Sequence, residues 1–345
     1  MARKSKTTTE DERQRGIAPG IVAKTKKRLV VVSGGSHPEL AHAIASQLGI
    51  EVAPTERRTF ASGEIYTRFE TSMRGCDVFV VQTFGQPVNE WLMEMLIMLD
   101  ALKRASAKRI TVVAPYYPYS RQDKKGRGRE PISARLVTDL IATAGADRIM
   151  SVDLHAAQIQ GFFDGPVDHL FAKPILARYF AESLQGEDRE TLTVVSPDMG
   201  RVRVADTWAD EFGAPLAIIH KRRDPKVANQ VTVHDIVGEV EGRTCLLVDD
   251  MIDTGGTIVK AAQALKANGA RKVIVAATHA IFSDPAAQRL QDESIDEVVV
   301  TDTVPLEPER RFDKLTVLSA APLLARAIKE VFDDGSVTSM FDGAA

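Results

Sequence analysis

The sequence has few cysteines, no long apolar run and little net charge, and each of these shortages excludes a class of protein. Cys76 and Cys245 are its two cysteines, so neither a disulfide framework nor a zinc cluster is expected, and both thiols are predicted to be buried. No apolar run approaches the roughly 20 residues of a membrane span, and MARKSKTTTEDERQRGIAPG lacks the apolar segment of a signal peptide. A net charge of −3 gives no sign of a nucleic-acid binder. We therefore expect a cytoplasmic protein that binds neither a membrane nor nucleic acid.

Length and composition predict two globular domains behind a polar tail. A chain of 345 residues is too long for one ordinary core and suits two domains of ~150 residues each. Hydrophobic residues make up 44% and charged residues 26%, which excludes disorder as the main state. Residues 1–27 are polar, mixed in charge and without periodicity, so we predict a disordered N-terminal tail. Its interspersed acids and lack of aromatics favour a solvated tail over one that binds nucleic acid.

Short β-branched segments alternate with helical patterns from Arg28 onward. RLVVVS precedes HPELAHAIASQLG, DVFVVQ precedes NEWLMEMLIMLDALKRA, and RITVVAP follows. Strands separated by helix-length segments imply βαβ units, and hence a mostly parallel sheet flanked by helices. The predicted fold class is α/β.

The chain also repeats itself. VVVSGG at 30–35 is echoed by TVVSPD at 193–198, and ALKRASAKRITVVA at 101–114 by ALKANGARKVIVAA at 264–277. Because both echoes have an offset of 163 residues, we predict two tandem copies of one α/β unit, at 28–170 and 171–345. DVFVVQTFGQPVNE in the first copy takes the place of CLLVDDMIDTGGT in the second, with a small shift. Both loops are expected beyond the carboxyl ends of the strands, where the first copy, lacking the acids and paired glycines, would offer a partner surface.

The segment LLVDDMIDTGGT places three acids beside a turn rich in glycine and threonine. The turn offers backbone N–H groups and two hydroxyls, and a helix predicted to begin near IVKAAQALKANG aims its positive end at the same point, so a phosphate fits there. Asp249 and Asp250 are expected slightly further along the ligand, where carboxylates accept hydrogen bonds from sugar hydroxyls. A phosphate followed by vicinal hydroxyls describes a pentose 5-phosphate. The alternative is a tight turn in which Asp253 or Thr254 merely caps the helix.

This segment resembles the ribose-phosphate-binding loop of type I phosphoribosyltransferase folds. Five further segments make the chain similar to class I ribose-phosphate pyrophosphokinases from about Arg28 to Phe341: FASGEIYTRF, YPYSRQDKK, SVDLHAAQIQGFFDGPVDHL, VVSPDMG and IIHKRRDP. The resemblance implies two tandem type I phosphoribosyltransferase-like domains, with ATP bound on the side of the first and ribose 5-phosphate by the second. The ribose 5-phosphate residues that it implies are Arg223, Asp249, Asp250, Asp253, Thr254, Gly255, Gly256 and Thr257.

By the same resemblance, two loops of the first copy bind ATP. Arg121 and Gln122 belong to RQDKK, a basic loop that on composition alone is more often a solvated surface loop. The other residues, in FASGE, are Phe60, Ser62, Gly63 and Glu64. The usual family pattern has Asp where Ser62 stands, so a weaker hydrogen bond to the nucleotide is expected from this position.

The resemblance makes His155 and Asp198 the ligands of the Mg²⁺ carried with ATP. From the residues alone, a single histidine after a strand is more often a hydrogen-bonded structural residue, and Asp198 has the alternative role of a helix N-cap. Imidazole is an unusual ligand for a hard cation, which favours weak or water-mediated coordination by His155. The loop after Asp198 reads GRVR, where the family usually has a second glycine and then arginines.

Lys221, Arg222 and Arg223 follow a predicted strand and precede a proline-containing segment, a pattern of a mobile basic flap or of a surface charge cluster. Phosphoryl-type transfer needs cations over the developing charge, and a closing loop brings them while it excludes water. The resemblance implies that Lys221 is catalytic, that Arg223 is its partner at the ribose-phosphate and the transferred phosphates, and that Arg222 faces elsewhere.

The implied activity is transfer of an intact diphosphate from MgATP to the anomeric hydroxyl of ribose 5-phosphate, giving AMP and 5-phosphoribosyl 1-diphosphate for nucleotide biosynthesis. Asp249 and Asp250 would also reach a second Mg²⁺. Family members are homo-oligomers, commonly hexamers that bind ATP across subunits. Two alternatives are a phosphoribosyltransferase, which would need neither the first copy nor RQDKK, and a non-catalytic nucleotide-binding regulator, against which the intact Lys221 and Asp198 argue.

Overall fold

A computed structural model of the protein describes residues 27–223 and 232–341. Residues 1–26 of the predicted tail and residues 224–231 of the predicted flap lie outside the described residues. Strands and helices alternate through both described ranges, which confirms the α/β prediction. No helix in these ranges is long and apolar enough to cross a membrane.

The first copy forms a five-stranded sheet and a separate hairpin. Its elements are β1 (Leu29–Ser33), α1 (Pro38–Gln47), β2 (Thr55–Thr59), β3 (Ile65–Phe69), β4 (Asp77–Val81), α2 (Val88–Arg104), β5 (Arg109–Ala114), α3 (Ser133–Ala144), β6 (Arg148–Val152) and β7 (Val167–Leu170). The sheet has the order β1-β4-β5-β6-β7 and is parallel throughout, while β2 and β3 pair with each other.

The second copy forms a seven-stranded sheet. Its elements are α4 (Lys173–Ser183), α5 (Glu187–Glu190), β8 (Leu192–Ser196), α6 (Val202–Phe212), β9 (Leu216–Arg223), β10 (Thr232–Val237), β11 (Thr244–Ile252), α7 (Gly256–Ala267), β12 (Lys272–Ala280), α8 (Ala286–Arg289), β13 (Glu297–Thr301), β14 (Leu315–Leu318) and α9 (Ala321–Phe332). The order is β10-β9-β8-β11-β12-β13-β14, with β10 antiparallel at one edge. Short 3₁₀ turns lie at Ala157–Phe162, Met199–Arg201, Pro308–Arg310 and Thr338–Phe341.

The two sheets share one topology, which confirms the predicted duplication. The order β1-β4-β5-β6-β7 recurs as β8-β11-β12-β13-β14, and the hairpin β2–β3 recurs as β9–β10. Leu29 pairs with Asp77 in the first sheet, and Leu192 pairs with Thr244 in the second. The offset therefore rises from 163 residues at the first strand to 167 at the next, which is the small shift that the sequence echoes predict.

The strands are apolar on both faces because helices cover both sides of each sheet. Val31 and Val32 of β1, like Leu246 and Leu247 of β11, are fully buried but belong to different core clusters. Such near-continuous apolar runs are typical of parallel sheets. One cluster is continuous across both copies, so the two sheets share part of their core. Cys76 and Cys245 are buried and free, as predicted.

Helices α4 and α9 occupy corresponding positions, because each follows the last strand of one sheet, and each packs against elements of the other sheet. Helix α4 lies on the second sheet, where the Tyr179 hydroxyl donates to Glu297 (2.6 Å) and Phe180 meets Trp208 with ring centroids 6.3 Å apart. Helix α9 packs against α1 of the first copy, and Arg109 of β5 contacts Asp334 just after it (3.2 Å). The domain boundary at residue 170 stays a prediction.

The carboxyl ends of the two sheets face each other. Thr83, after β4, donates to the carbonyl of Thr303 (2.6 Å), and the Thr278 hydroxyl at the end of β12 donates to Asp153 (2.6 Å). The buried His279 lies 3.0 Å from the carbonyl of Val152 through Nε2. Polar groups that end the strands therefore pair across the junction, and the loops of both copies open toward a common region.

Candidate active site

The acidic segment of the second copy lies at the end of β11. This strand continues through Ile252, so Asp249 and Asp250 belong to it rather than to the following loop. Gly255 has the left-handed φ of +72°, and α7 begins directly after it, two residues before the predicted Ile258. No side chain caps this helix, so neither Asp253 nor Thr254 has the capping role that was the alternative interpretation. The first N–H groups of α7 therefore face the loop without a side-chain acceptor, as an anion site requires.

Asp249 and Asp250 meet two side chains from other elements. Arg201 lies 2.7 Å through Nη2 from Asp250 and 3.5 Å through Nε from Asp249. His155, which follows β6 of the first copy, is 2.8 Å from Asp250 and 2.6 Å from Arg201, both through Nδ1. Nδ1 carries either a proton or a lone pair, so at any moment it donates to Asp250 or accepts from Arg201. These four residues, which we call the acid cluster, join both copies.

Burial and charge separate the two acids of this cluster. Burial, followed by the charge of Asp250, raises the pKa of Asp249 well above its ordinary value. Burial acts in the same sense on Asp250, but the hydrogen bond from His155 and the charge of Arg201 outweigh it and lower the pKa of Asp250. Asp250 is thus held ionised beside its partners, while Asp249 takes up a proton more readily.

Asp198 lies at the end of β8, in the loop that carries Arg201. Its Oδ1 accepts a hydrogen bond from the backbone of Gly200 (2.8 Å), so it caps the short 3₁₀ turn Met199–Arg201. This is the alternative role considered for Asp198, and it leaves the predicted metal role untested. No group of three or more His, Cys, Asp or Glu side chains converges on a cation site within residues 27–223 and 232–341.

The two residues of RQDKK assigned to ATP differ in their surroundings. Arg121 forms an ion pair with Asp253 (2.7 Å), with both side chains partly exposed. The Gln122 side chain accepts a hydrogen bond from the Ser133 hydroxyl (2.7 Å) and so helps to hold the start of α3. The loop predicted to bind ATP therefore touches the loop predicted to bind the sugar phosphate.

FASGE forms the turn of the β2–β3 hairpin. Phe60 donates its N–H to the carbonyl of Glu64 (2.8 Å), Gly63 has a φ of +89°, and the Ser62 hydroxyl donates to the Glu64 carboxylate (2.8 Å). No hydrogen bond or ion pair in the described part of the chain joins this turn to Arg121 or Gln122. Within the described part of one chain, the FASGE turn and the RQDKK loop, both assigned to ATP, are therefore not joined by polar contacts.

Lys221 and Arg223 lie at the end of β9, which pairs with β10. The Cα of Lys221 is opposite that of His234, and the Cα of Arg223 is opposite that of Thr232. By the repeat, the β9–β10 connection corresponds to the FASGE turn of the first copy. The backbone of the predicted catalytic residues thus begins the connection whose remaining residues lie outside the described ranges.

In the first copy, the space beyond the corresponding strand end, that of β4, is filled by side chains of the same copy. By the β4–β11 register, Gln82 stands where Asp249 stands in the second copy. Its amide contacts the Ser36 hydroxyl (2.7 Å) and Glu94 (2.6 Å), and Glu94 accepts the N–H of Gly35 (2.7 Å). QTFGQPVNE lacks the acids and paired glycines of the second copy, which indicates that the first copy has diverged here. The sequence does not indicate which residues fill the space.

Arg201 is the site residue that the sequence reasoning did not assign. The signal was present, because GRVR departs from the usual glycine-rich loop, but sequence gives no direction for an arginine side chain. The structure places its guanidinium, with 15% of the side chain exposed, against both acids and His155.

The fold is that of the type I phosphoribosyltransferases, present twice in one chain. Residues 29–145 match the family model described as the N-terminal domain of ribose phosphate pyrophosphokinase, and residues 225–342 match that of the phosphoribosyl synthetase-associated domain.

Full-length relatives agree with these two matches. The ribose-phosphate pyrophosphokinase of Streptomyces coelicolor is 62% identical over 94% of this chain and 99% of its own, and that of Mycobacterium tuberculosis is 58% identical over 93% and 98%. The crystal structure of phosphoribosylpyrophosphate synthetase from Mycobacterium smegmatis, at 57% identity, covers 90% of this chain and 100% of its own with a TM-score of 0.85. The chain belongs to the ribose-phosphate pyrophosphokinase family.

Proposed function

We propose that the chain transfers the diphosphate group of ATP to the C1 hydroxyl of ribose 5-phosphate, giving 5-phosphoribosyl 1-diphosphate and AMP. Its near full-length similarity to ribose-phosphate pyrophosphokinases supports this activity. The observation that carries the proposal within the structure is that Asp249 and Asp250 lie at the end of β11, one short loop before the uncapped start of α7.

Ribose 5-phosphate binds along this line of residues. The N–H groups and hydroxyls of Thr254–Thr257 hold the 5-phosphate, since the first turn of α7 offers donors and the positive end of its dipole. The carboxylates of Asp249 and Asp250 accept hydrogen bonds from the ribose hydroxyls. The two ends of the loop therefore read the two ends of the sugar phosphate, with Asp253 beside the phosphate donors.

ATP binds against the first copy. Arg121 and Gln122 contact the nucleotide from RQDKK, as do Phe60, Ser62, Gly63 and Glu64 from FASGE. The proposal is supported by the contact of Arg121 with Asp253, which brings one of these loops to the edge of the sugar site. Since no polar contact links FASGE to RQDKK in the described part of one chain, we assign the FASGE group to the nucleotide of a neighbouring subunit.

The residues present fit Mg²⁺ bound together with phosphate oxygens. Mg²⁺ is usually held by one or two carboxylates plus substrate and water, which suits a site rich in carboxylates but without a closed cage. Asp198 and His155 would hold the ion carried with ATP, and Asp249 and Asp250 would reach a second one. When bound, the ions would neutralise negative charge on the phosphates.

The reaction forms a bond between the C1 oxygen and the β-phosphorus and breaks the bond from that phosphorus to the bridging oxygen, which leaves with AMP. The C1 hydroxyl proton passes to solvent, since no general base is assigned. Lys221 and Arg223 neutralise the charge that develops on the transferred group, and the rest of the site fixes the two substrates in line.

We further propose that the chain acts in the cytoplasm as a homo-oligomer, and specifically as a hexamer, the assembly that the family resemblance implies. An exposed apolar strip formed by Leu136 and Leu140 of α3 and by Ile132 just before it supports self-association, and Met93 of α2 is also exposed. Leu136 is 59% exposed, so replacing it by Lys leaves the core intact. Light scattering is expected to give a lower mass for Leu136→Lys, and an unchanged mass would show that this strip lies outside the interface.

The test of the activity is AMP release that depends on ribose 5-phosphate. The wild-type chain should release AMP only when both substrates and Mg²⁺ are present. Lys221→Ala should lose turnover while its circular dichroism stays unchanged, and Arg222→Ala, which removes a neighbouring positive charge, should keep it. Nucleotide binding without AMP release would instead identify a regulator, and release of diphosphate on adding a base would identify a phosphoribosyltransferase.

A further inference from the structure

Arg201 occupies the centre of the acid cluster. Its guanidinium contacts Asp250 at 2.7 Å, Asp249 at 3.5 Å and the ring of His155 at 2.6 Å, and Nη1 donates to the His155 carbonyl at 3.3 Å. A guanidinium that contacts both carboxyl groups and two atoms of one histidine is fixed in position as well as in charge.

The main partner of Arg201 is a buried carboxylate, which would be destabilised if the positive charge beside it were removed. Asp250 is 8% exposed, and an ionised carboxylate at that depth needs a cation or several donors. Arg201 supplies the cation, while the Asp250 N–H is already used by Asp249 Oδ1 at 2.8 Å. The acid cluster is therefore internally compensated before any ligand arrives.

A divalent cation and this guanidinium cannot both hold the same oxygen atoms. A cation bound by Asp249 and Asp250 would use the lone pairs that Arg201 now contacts, and like charges at such short range repel. Any cation at the acid pair must therefore displace the guanidinium or share the carboxylates with it.

We propose that Arg201 is a positioning residue that serves as the built-in counter-charge of Asp249 and Asp250 and competes with a divalent cation for them. The inference rests on the proposed function, which assigns these two acids to the sugar and its cation. Arg201 holds the two acids and His155 in one arrangement, and it makes cation affinity a property that Arg201 lowers.

The matched control is the neighbouring Arg203. It lies two residues further along the same segment and is exposed, whereas Arg201 is largely buried. No ion pair or hydrogen bond of Arg203 to the acid cluster is present in the described ranges. Arg203→Gln therefore removes the same charge without freeing Asp249 or Asp250.

The experiment measures binding of Mn²⁺ alone, as a paramagnetic substitute for Mg²⁺, to the full chain without nucleotide or sugar phosphate. Electron paramagnetic resonance of free Mn²⁺ gives the Kd. Arg201→Gln is expected to lower it about tenfold, equal to about 1.4 kcal/mol. Arg201→Lys and Arg203→Gln should stay within about threefold of wild type, less than 0.7 kcal/mol by the same relation. An unchanged or weaker affinity in Arg201→Gln, or an equal gain in Arg203→Gln, would overturn the proposal.

A second pair of variants covers the case in which Arg201→Gln does not fold. Asp250→Asn removes the buried charge that needs Arg201, and the double variant Arg201→Gln with Asp250→Asn then removes the guanidinium without leaving that charge unpaired. The double variant should bind Mn²⁺ through Asp249 more tightly than Asp250→Asn does, and no difference would refute the competition. Because this readout needs no turnover, it separates the role of Arg201 from the AMP-release test of the activity.

Discussion

The two copies meet at His279, so acid should loosen this junction. The side chain is 1% exposed, its Nε2 lies 3.0 Å from the carbonyl of Val152 in the first copy, and its Nδ1 lies 2.8 Å from the Thr303 hydroxyl. The ring also lies against Tyr116, with centroids 4.9 Å apart. Since a carbonyl only accepts, Nε2 carries the proton and Nδ1 accepts from Thr303 in the neutral ring.

Burial lowers the pKa of His279 to about 4, from an ordinary value of 6.5. The unfolded chain then binds a proton between these values that the folded chain excludes, so stability is present above pH 6.5 and is lost as the pH falls toward 4. For these two values, the loss between pH 7.5 and pH 5 is about 2 kcal/mol.

The assay is denaturant unfolding at pH 7.5 and pH 5, at one protein concentration, for wild type, His279→Gln and His42→Gln. His42 is exposed on α1, so its replacement controls for the loss of any histidine. Replacing His279 lowers the free energy of unfolding at both pH values because packing is lost. The replacement also removes the further loss of stability that protonation of His279 causes at pH 5. Wild type and His42→Gln should therefore lose about 2 kcal/mol more than His279→Gln on acidification. Parallel losses in all three would refute the reasoning.

Three further predictions concern the loops of the site. Asp250→Ala leaves the Arg201 guanidinium without its closest acid and should lower the free energy of unfolding by about 3 kcal/mol in urea; a loss below 1 kcal/mol, on the same scale, would contradict a paired role. Gly255→Ala places a side chain at a φ of +72°, although the added carbon meets nothing closer than 3.6 Å. Calorimetry should show weaker binding of ribose 5-phosphate, and denaturant unfolding should show a loss of about 1 kcal/mol in stability. Unchanged binding would show that this turn does not hold the phosphate. Arg121→Met breaks a partly exposed ion pair, so stability should change by less than about 1 kcal/mol while the KM for ATP rises about tenfold; an unchanged KM would remove Arg121 from the nucleotide site.

Much of the architecture could be predicted because it depends on periodic patterns. Alternating apolar strands and helices predict the α/β class, and two echoes at one offset predict two copies of one unit, which the matching strand orders of the two sheets confirm. Helix α7 begins at Gly256, two residues before the predicted start near Ile258, because glycine is a poor helix former and the sequence pattern gives no sign that it opens this helix. The family resemblance, carried by several segments at once, is confirmed by relatives that span nearly the whole chain.

The directions of side chains and the contacts between distant parts of the chain could not be predicted in the same way. Arg201 and Arg203 look alike in sequence, yet the structure sends one into the acid cluster and leaves the other exposed. The packing of α9 on the first copy depends on contacts between residues about 280 positions apart in the chain, for which neither periodicity nor spacing carries information. The roles assigned to Lys221 and Arg223 stay predictions.

The two copies satisfy the polar groups at the same strand end in different ways, and this difference supports the proposal that ribose 5-phosphate binds at the second copy. In the first copy, Gln82 and Glu94 are 1% and 5% exposed and use up the donors of Gly35 and Ser36, so emptying that space would leave buried polar groups unpaired. In the second copy, the compensating group is the long side chain of Arg201, which reaches in from the next loop. In the proposed competition, a ligand of the acids takes over the contacts that this guanidinium makes. The duplicated fold thus closes this strand end in the first copy with buried neighbouring side chains, and in the second copy with an arginine that we propose competes with a cation.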